Sequence, residues 1–308
     1  VMPILDDLNE TDFLNRVWQN EALLMRDALT GYTSPISAEE LAGLALEPEV
    51  ESRLVQHTAG EWQLTHGPFK EHVFRSLPES HWTLLVQAVD LWVDEVASLF
   101  EHFTILPRWR FDDIMVSYAT PGGGTGPHFD HYDVFLVQVS GQRRWRLGGM
   151  ANGETPLVPG SELRLVERFD EQESWVLNPG DVLYVPPGMV HWGEAVTSSL
   201  SYSVGFRSPS FSDMLGDLSI ELMAQGLDQN YRDPESLVAS EGFLIPDSVI
   251  EQVQTQLRSV VDDQALVADW FARYMTQPKY PDLVDATGEQ RMARTRWATY
   301  NNGDRVDE

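Results

Sequence analysis

The sequence has no cysteine, and Lys70 and Lys279 are its only lysines. The first absence excludes disulfides, thiolate nucleophiles and zinc–thiolate centres. The second leaves arginine to carry nearly all of the positive charge. No apolar run approaches the roughly 20 residues of a membrane-spanning helix. The opening "VMPILDDLNE" lacks the basic and apolar regions of a secretory signal. A soluble, cytoplasmic protein with no membrane partner is expected. Positive charge is scarce overall: 21 Lys and Arg against 48 Asp and Glu give a formal net charge of −27. Such a surface repels nucleic-acid phosphates and argues against DNA binding. It suits either attraction of a basic partner or hydration of the surface in salt.

What is present fits a globular protein. The 308 residues, 42% hydrophobic, predict one main domain with smaller attached units. "TDFLNRVWQNEALLMRDAL" has helix-like apolar spacing in part, and "SAEELAGLAL" opens with a Ser cap and acids in its first turn. "ESRLVQHTAGEWQLTHGPF" predicts two short strands around a Gly turn. "SHWTLLVQAVDLWVDEVASLF" predicts a helix, with Leu84, Leu85, Ala88, Leu91, Trp92, Val96 and Leu99 at three- and four-residue spacing. From Trp109 to Arg207 short β-rich segments alternate with Gly and Pro turns, predicting a barrel or two-sheet jelly roll. After Pro209 helices return, and Val249, Val253, Leu257 and Val260 make an apolar stripe that must pack on something, such as a second subunit. "RMARTRWATYNNGDRVDE" predicts one strand and a turn, half a hairpin without a partner.

The chemistry is concentrated near the start of the β-rich block. In "GPHFDHYDVFLVQVS", read as a strand, His128, Asp130 and Tyr132 share a face. An imidazole and a carboxylate on one face can grip one metal ion. His191, after the Pro-Pro-Gly turn of "YVPPGMVHWGEA", supplies a third ligand. Two histidines and one carboxylate leave the other metal positions open, as in non-haem Fe(II) oxygenases. A lone H-x-D arises often by chance. His57, His66, His72, His81 and His102 have no carboxylate at ligand spacing in a strand, and His131 faces away from His128. An oxygenase that uses 2-oxoglutarate also needs a buried cation for the far carboxylate. Arg143 fits that role, whereas Arg144 and Arg146 share the opposite face and meet solvent or acids.

Over "VESRLV", "HGPF", "PRWRFDDIMVSYATPGGGTGPHFDHYDVFLVQ", "GQRRWRLG" and "YVPPGMVHWGEA" the chain resembles the bacterial JmjC-domain ribosomal oxygenases. These are 2-oxoglutarate-dependent arginine hydroxylases of large-subunit ribosomal protein sixteen. The resemblance implies a mainly β chain with helical flanks. A double-stranded β-helix of the cupin/JmjC type would span 1–208, a helical dimerisation region 209–277, and the beginning of a truncated winged helix 278–308. It implies Fe(II), 2-oxoglutarate and O2 as cofactors and co-substrates, a ribosomal protein as substrate, and a homodimer. The catalytic iron ligands then fall on His128, Asp130 and His191, and 2-oxoglutarate on Arg143 with a hydroxyl partner at Ser117.

In "DDIMVSYA" the residues Asp113, Met115 and Ser117 alternate on one face. A guanidinium substrate calls for a carboxylate at its tip and flat walls along its stem. Asp113 is a candidate for the tip, Met115 and Tyr132 for the walls, and Phe206 for a further wall. Equally, Asp112 or Asp113 could pair with Arg108 or Arg110. Two other functions fit less well. A histidine hydroxylase of the same cofactor class has less use for Asp113, and a non-catalytic metal-binding cupin has no use for Arg143.

Overall fold

The run "DVFLVQVS" forms a strand buried on both faces, and the first part of the molecule is arranged around it. The computed structural model describes residues 9–227, 230–235 and 243–306; most of the opening decapeptide lies outside them. The chain divides into two compact units, Val1–Ser208 and Pro209–Glu308.

In the first unit α1 (Glu10–Asp12) leads through a π-helical turn to β1 (Leu23–Met25). Helix α2 (Ala38–Leu44) is closed by a capping box in which Ser37 accepts from the Glu40 amide and Glu40 accepts from the Ser37 amide. The hairpin β2 (Ser52–Thr58) and β3 (Glu61–His66) follows, then α3 (Glu71–Arg75), β4 (Trp82–Val86) and α4 (Asp94–Ala97). The remaining strands are β5 (Phe111–Ala119), β6 (Asp133–Ser140), β7 (Arg143–Met150), β8 (Glu173–Leu177), β9 (Val182–Val185), β10 (Met189–Ala195) and β11 (Ser199–Phe206).

Eight strands form one antiparallel sheet in the order β1-β9-β6-β11-β5-β4-β2-β3, and three form a second in the order β10-β7-β8. Together they make the double-stranded β-helix expected from the sequence, a jelly roll of the JmjC type with helical flanks. Strand β6 explains the layering. Its Phe135, Val137 and Val139 enter the larger core with Phe13, Leu41, Leu99 and Phe103. Its Val134 and Leu136 enter a smaller core with Trp145, Leu147 and Leu183. Burial on two faces removes the polar alternation of a half-exposed strand. Each such side chain, fully buried, contributes about 1.5–3 kcal/mol.

The helix expected over 80–100 does not form. Trp82–Val86 is strand β4, paired with β2 and β5, and only short helical turns follow it. Thr83, Leu84, Leu85 and Val86 are all buried, so both faces of the strand are apolar enough to mimic helical spacing. Ala88, with φ 50°, then breaks the run in the left-handed region.

In the second unit α5 (Phe211–Ala224), α6 (Asp247–Val261), α7 (Gln264–Thr276) and α8 (Val284–Thr287) precede β12 (Met292–Arg294), β13 (Thr299–Asn301) and β14 (Asp304–Val306). The last three strands form an antiparallel meander in the order β12-β13-β14. The half-hairpin expectation is therefore corrected: two short strands had too little apolar pattern to be read. The expected regions 209–277 and 278–308 fall within one unit. Tyr300, buried on β13, donates its hydroxyl to Asp269 on α7 at 2.7 Å, and the Gly303 amide reaches Thr276 Oγ1 at 3.1 Å.

Candidate metal centre and co-substrate pocket

Between the two sheets lies a cavity of about 450 Å3. His128 and Asp130 reach it from the extended approach to β6, not from the strand itself, which begins at Asp133. The alternation still holds, because the approach is locally β-paired. His128 donates its amide to the His191 carbonyl at 3.0 Å, and His191 returns the bond at 2.8 Å. The Gly188 amide, at the end of the Pro-Pro-Gly turn, donates to the Asp130 carbonyl at 2.7 Å. Gly188 has φ 82°, a conformation that side-chain-bearing residues rarely adopt.

His128, Asp130 and His191 therefore converge, with ligand atoms all within 4.8 Å of one another. Each histidine donates Nδ1–H to a main-chain carbonyl, His128 to Gly126 at 2.9 Å and His191 to Met189 at 2.9 Å. That fixes the tautomer and leaves Nε2 as the electron-pair donor. Burial, then the neighbouring His128, lowers the His191 pKa to about 4. His191 is thus neutral at pH 7, and its 3.6 Å approach to Asp130 is a meeting of two ligands rather than an ion pair. Two imidazoles and one carboxylate so arranged fit a divalent iron ion with open positions.

Arg143 lines the same cavity from β7 and is buried. Its Nη1 donates to Ser117 Oγ at 2.9 Å and its Nη2 to Ser199 Oγ at 3.3 Å. Among the described residues its Nε has no partner and no carboxylate forms an ion pair with it. Burial lowers its pKa to about 10, which still leaves it charged at neutral pH. A buried cation without an anion is costly. Thr83 Oγ1 and Trp145 Nε1, also lining the cavity, are buried without partners. The pocket thus presents unmet polar groups around a positive charge, which suits a small dicarboxylate. Arg146, on the far face of β7, instead lies between Glu171 and Glu194, at 3.3 and 3.6 Å, and Arg144 is exposed.

Sequence reading missed Thr83, because β4 was taken for helix. It also missed Trp145, although alternation from Arg143 places both on one face. The Trp145 ring lies where residue 193 could carry no Cβ; such an atom would be 2.6 Å from it. Gly193 is needed for that close approach.

The candidate substrate residues divide. Met115 and Tyr132 line the cavity, and so does Ser203 on β11. Phe206 does not: it is fully buried in the larger core against Phe103, Phe111 and Phe135. Its place as a wall is corrected, since it shares the face of Tyr202 and Val204 rather than that of Ser203. Asp113 is buried, and its Oδ2 accepts from Gln87 Nε2 at 2.6 Å and from the Ala88 amide at 3.1 Å. Arg53 holds the other end of Gln87 at 3.0 Å. Arg110 pairs with Asp133 and Arg207 with Asp112.

A metal-binding jelly roll with a lone buried cation is the architecture of the oxygenase class, and the comparisons agree. The description "JmjC domain" matches residues 98–214. The ribosomal protein uL16 3-hydroxylase of Escherichia coli is 36% identical, over 97% of this chain and 86% of that protein. A probable ribosomal oxygenase of Haemophilus influenzae is 37% identical, over 71% of this chain and 54% of that one. The solved structure of the E. coli ribosomal oxygenase YcfD in complex with cobalt and 2-oxoglutarate superposes with a TM-score of 0.86 at 34% identity, covering 98% of this chain and 86% of that one. The chain belongs to the JmjC-domain ribosomal oxygenase family.

Proposed function

We propose that the protein is an Fe(II)- and 2-oxoglutarate-dependent dioxygenase that hydroxylates an arginine side chain of the sixteenth large-subunit ribosomal protein. The carrying observation is Arg143, a buried cation with no carboxylate partner among the described residues, beside a His-Asp-His cluster. When bound, iron and 2-oxoglutarate supply the oxidation of a substrate C–H bond by O2. The chain's own residues bind and orient. His128, Asp130 and His191 hold the metal, with both histidine tautomers fixed by carbonyls. Arg143 and Ser117 hold the far carboxylate of the co-substrate through charge-assisted hydrogen bonds.

Arginine as the target is supported by a buried carboxylate close to Tyr132, a residue that lines the cavity. Asp113 Oδ1 and the Tyr132 ring flank Gly205, 3.5 and 3.9 Å from where a Cβ there would sit. In this reading the carboxylate meets the guanidinium tip, while Met115 and Tyr132 flank the stem. The uL16 in the E. coli relative's name, and the net charge of −27, fit a basic ribosomal protein. Such a substrate places the reaction in the cytoplasm. A homodimer through 209–277 belongs to the same proposal. Helix α6 buries no side chain among the described residues, and Ile250, Val253, Leu257 and Val261 are exposed along it. Mass spectrometry of the ribosomal protein after incubation with enzyme, Fe(II) and 2-oxoglutarate tests the activity. A gain of one oxygen on an arginine is expected, and an unmodified protein or oxygen on another residue type overturns it.

A further inference from the structure

Strand β3 ends the eight-stranded sheet, and its outer edge is open. The register decides which groups point outward. The Gly67 amide donates to the Ser52 carbonyl across the hairpin, whereas the His57 amide turns away to the His81 carbonyl beside β4. His57 and Trp62 are therefore a non-hydrogen-bonded pair, and so are Val55 with Leu64 and Arg53 with His66. The amides and carbonyls of Trp62, Leu64 and His66 thus face outward, away from β2. No other main-chain or side-chain group among the described residues bonds to them.

Proteins guard such edges with lysine, proline, bulges or very short strands. The opposite edge, β1, has only three residues. The segment "EWQLTH" of β3 has six, with neither lysine nor proline. Facing it across a groove of about 740 Å3 is the turn 158–166, with Pro127 also on the wall. Leu64, Glu162 and Leu163 line both this groove and the catalytic cavity, so the two adjoin. Trp62 and Leu165 pack close to Gly126 between them. Glu61 and Glu162 make the groove acidic, and it has no basic lining residue.

We propose that the outer edge of β3 seats the main chain of the substrate. An extended stretch of the ribosomal protein, next to the side chain that enters the cavity, adds to the large sheet as a further strand. This inference rests on the function proposed above and names how its substrate is held. Six residues of strand span about 20 Å, enough for the flank of a target residue. Main-chain pairing gives affinity, and Trp62 and Leu64 offer apolar contact to alternate side chains. Glu61 and Glu162 complement basic residues on the same stretch. The exposed His66–Glu162 contact, 3.6 Å, spans the point where groove and cavity meet. Such a surface pair is weak and parts readily.

The test uses the full chain with Mn(II) and 2-oxoglutarate, without O2, and a synthetic peptide spanning the candidate arginine of the ribosomal protein. Amide hydrogen exchange is read residue by residue with and without saturating peptide. Exchange at Trp62, Leu64 and His66 is expected to slow at least about tenfold, while Gln63 and Thr65, already bonded to β2, stay unchanged. Methylation of alternate peptide amides on one flank is expected to raise the peptide KM about tenfold with kcat unchanged. A peptide that binds and is hydroxylated, yet leaves the three amides exchanging freely and tolerates methylation throughout, overturns the inference and leaves the function standing. A peptide that neither binds nor reacts overturns both.

Discussion

The two units differ in how fully they enclose their apolar side chains. In the first, Phe13, Leu41, Leu99, Phe103 and Phe135 are fully enclosed, and even Arg143 and His191 are buried. In the second, α6 encloses nothing among the described residues, while Phe211, Ile220, Met223 and Leu257 stand more than half exposed. A core saturated from within can fix a reacting geometry. An apolar face left open is suited to association rather than chemistry. The difference predicts that the proposed dimer contact and the proposed reaction can be separated by mutation.

The sharpest separation comes at the metal centre. His128→Ala, Asp130→Ala and His191→Ala should each abolish 2-oxoglutarate turnover while circular dichroism and oligomeric state stay those of the parent. Turnover retained by any one of them removes that residue from the ligand set. Next is Asp113→Asn. Loss of a buried charge contact to the guanidinium should weaken peptide hydroxylation by roughly 2–5 kcal/mol, with co-substrate affinity unchanged. A lower melting temperature with unaltered peptide kinetics would show instead that Asp113 serves the fold, through contacts such as those from Gln87 and the Ala88 amide. Arg143→Ala should raise the half-saturating 2-oxoglutarate concentration at least about tenfold, from a pair contributing roughly 1.5–3 kcal/mol. Arg144→Ala, one residue along and exposed, should change it little; equal effects would contradict the strand facing. Smallest in its effect on catalysis is Leu257→Glu. It should shift light scattering from dimer to monomer at micromolar concentration with kcat near the parental value. A parent that is already monomeric removes the dimer from the proposal.

How much of this was legible in the sequence depended on which physical demand was the stronger. The His-Asp-His cluster was readable because metal chemistry restricts residue type: few kinds of side chain can serve as ligands at that spacing. The burial of Arg143 at the cavity was readable from alternation plus the need for a buried cation. Ser117 came from resemblance, since a serine in a strand carries no signal of its own. Thr83 was invisible because β4 is buried on both faces, and a doubly buried strand has no period to distinguish it from a helix. Phe206 was misplaced for want of the register, which only pairing with β5 and β6 sets. Asp113 was read as a guanidinium tip or a partner of Arg108 or Arg110; the bonds it accepts from Gln87 and the Ala88 amide come from a segment that looked helical.

The reciprocal main-chain bonds between His128 and His191 reach beyond catalysis. They clamp two donors from distant parts of the chain to each other through the backbone, so the socket is assembled by folding alone. A structural zinc module, by contrast, exists only once its ion arrives. Here a chelator should extract the metal without melting the protein, and reloading should proceed at the pace of diffusion into an existing seat. An ion held in such a seat would be exchangeable, and which metal fills it would then depend on the supply around the protein as well as on the three ligands.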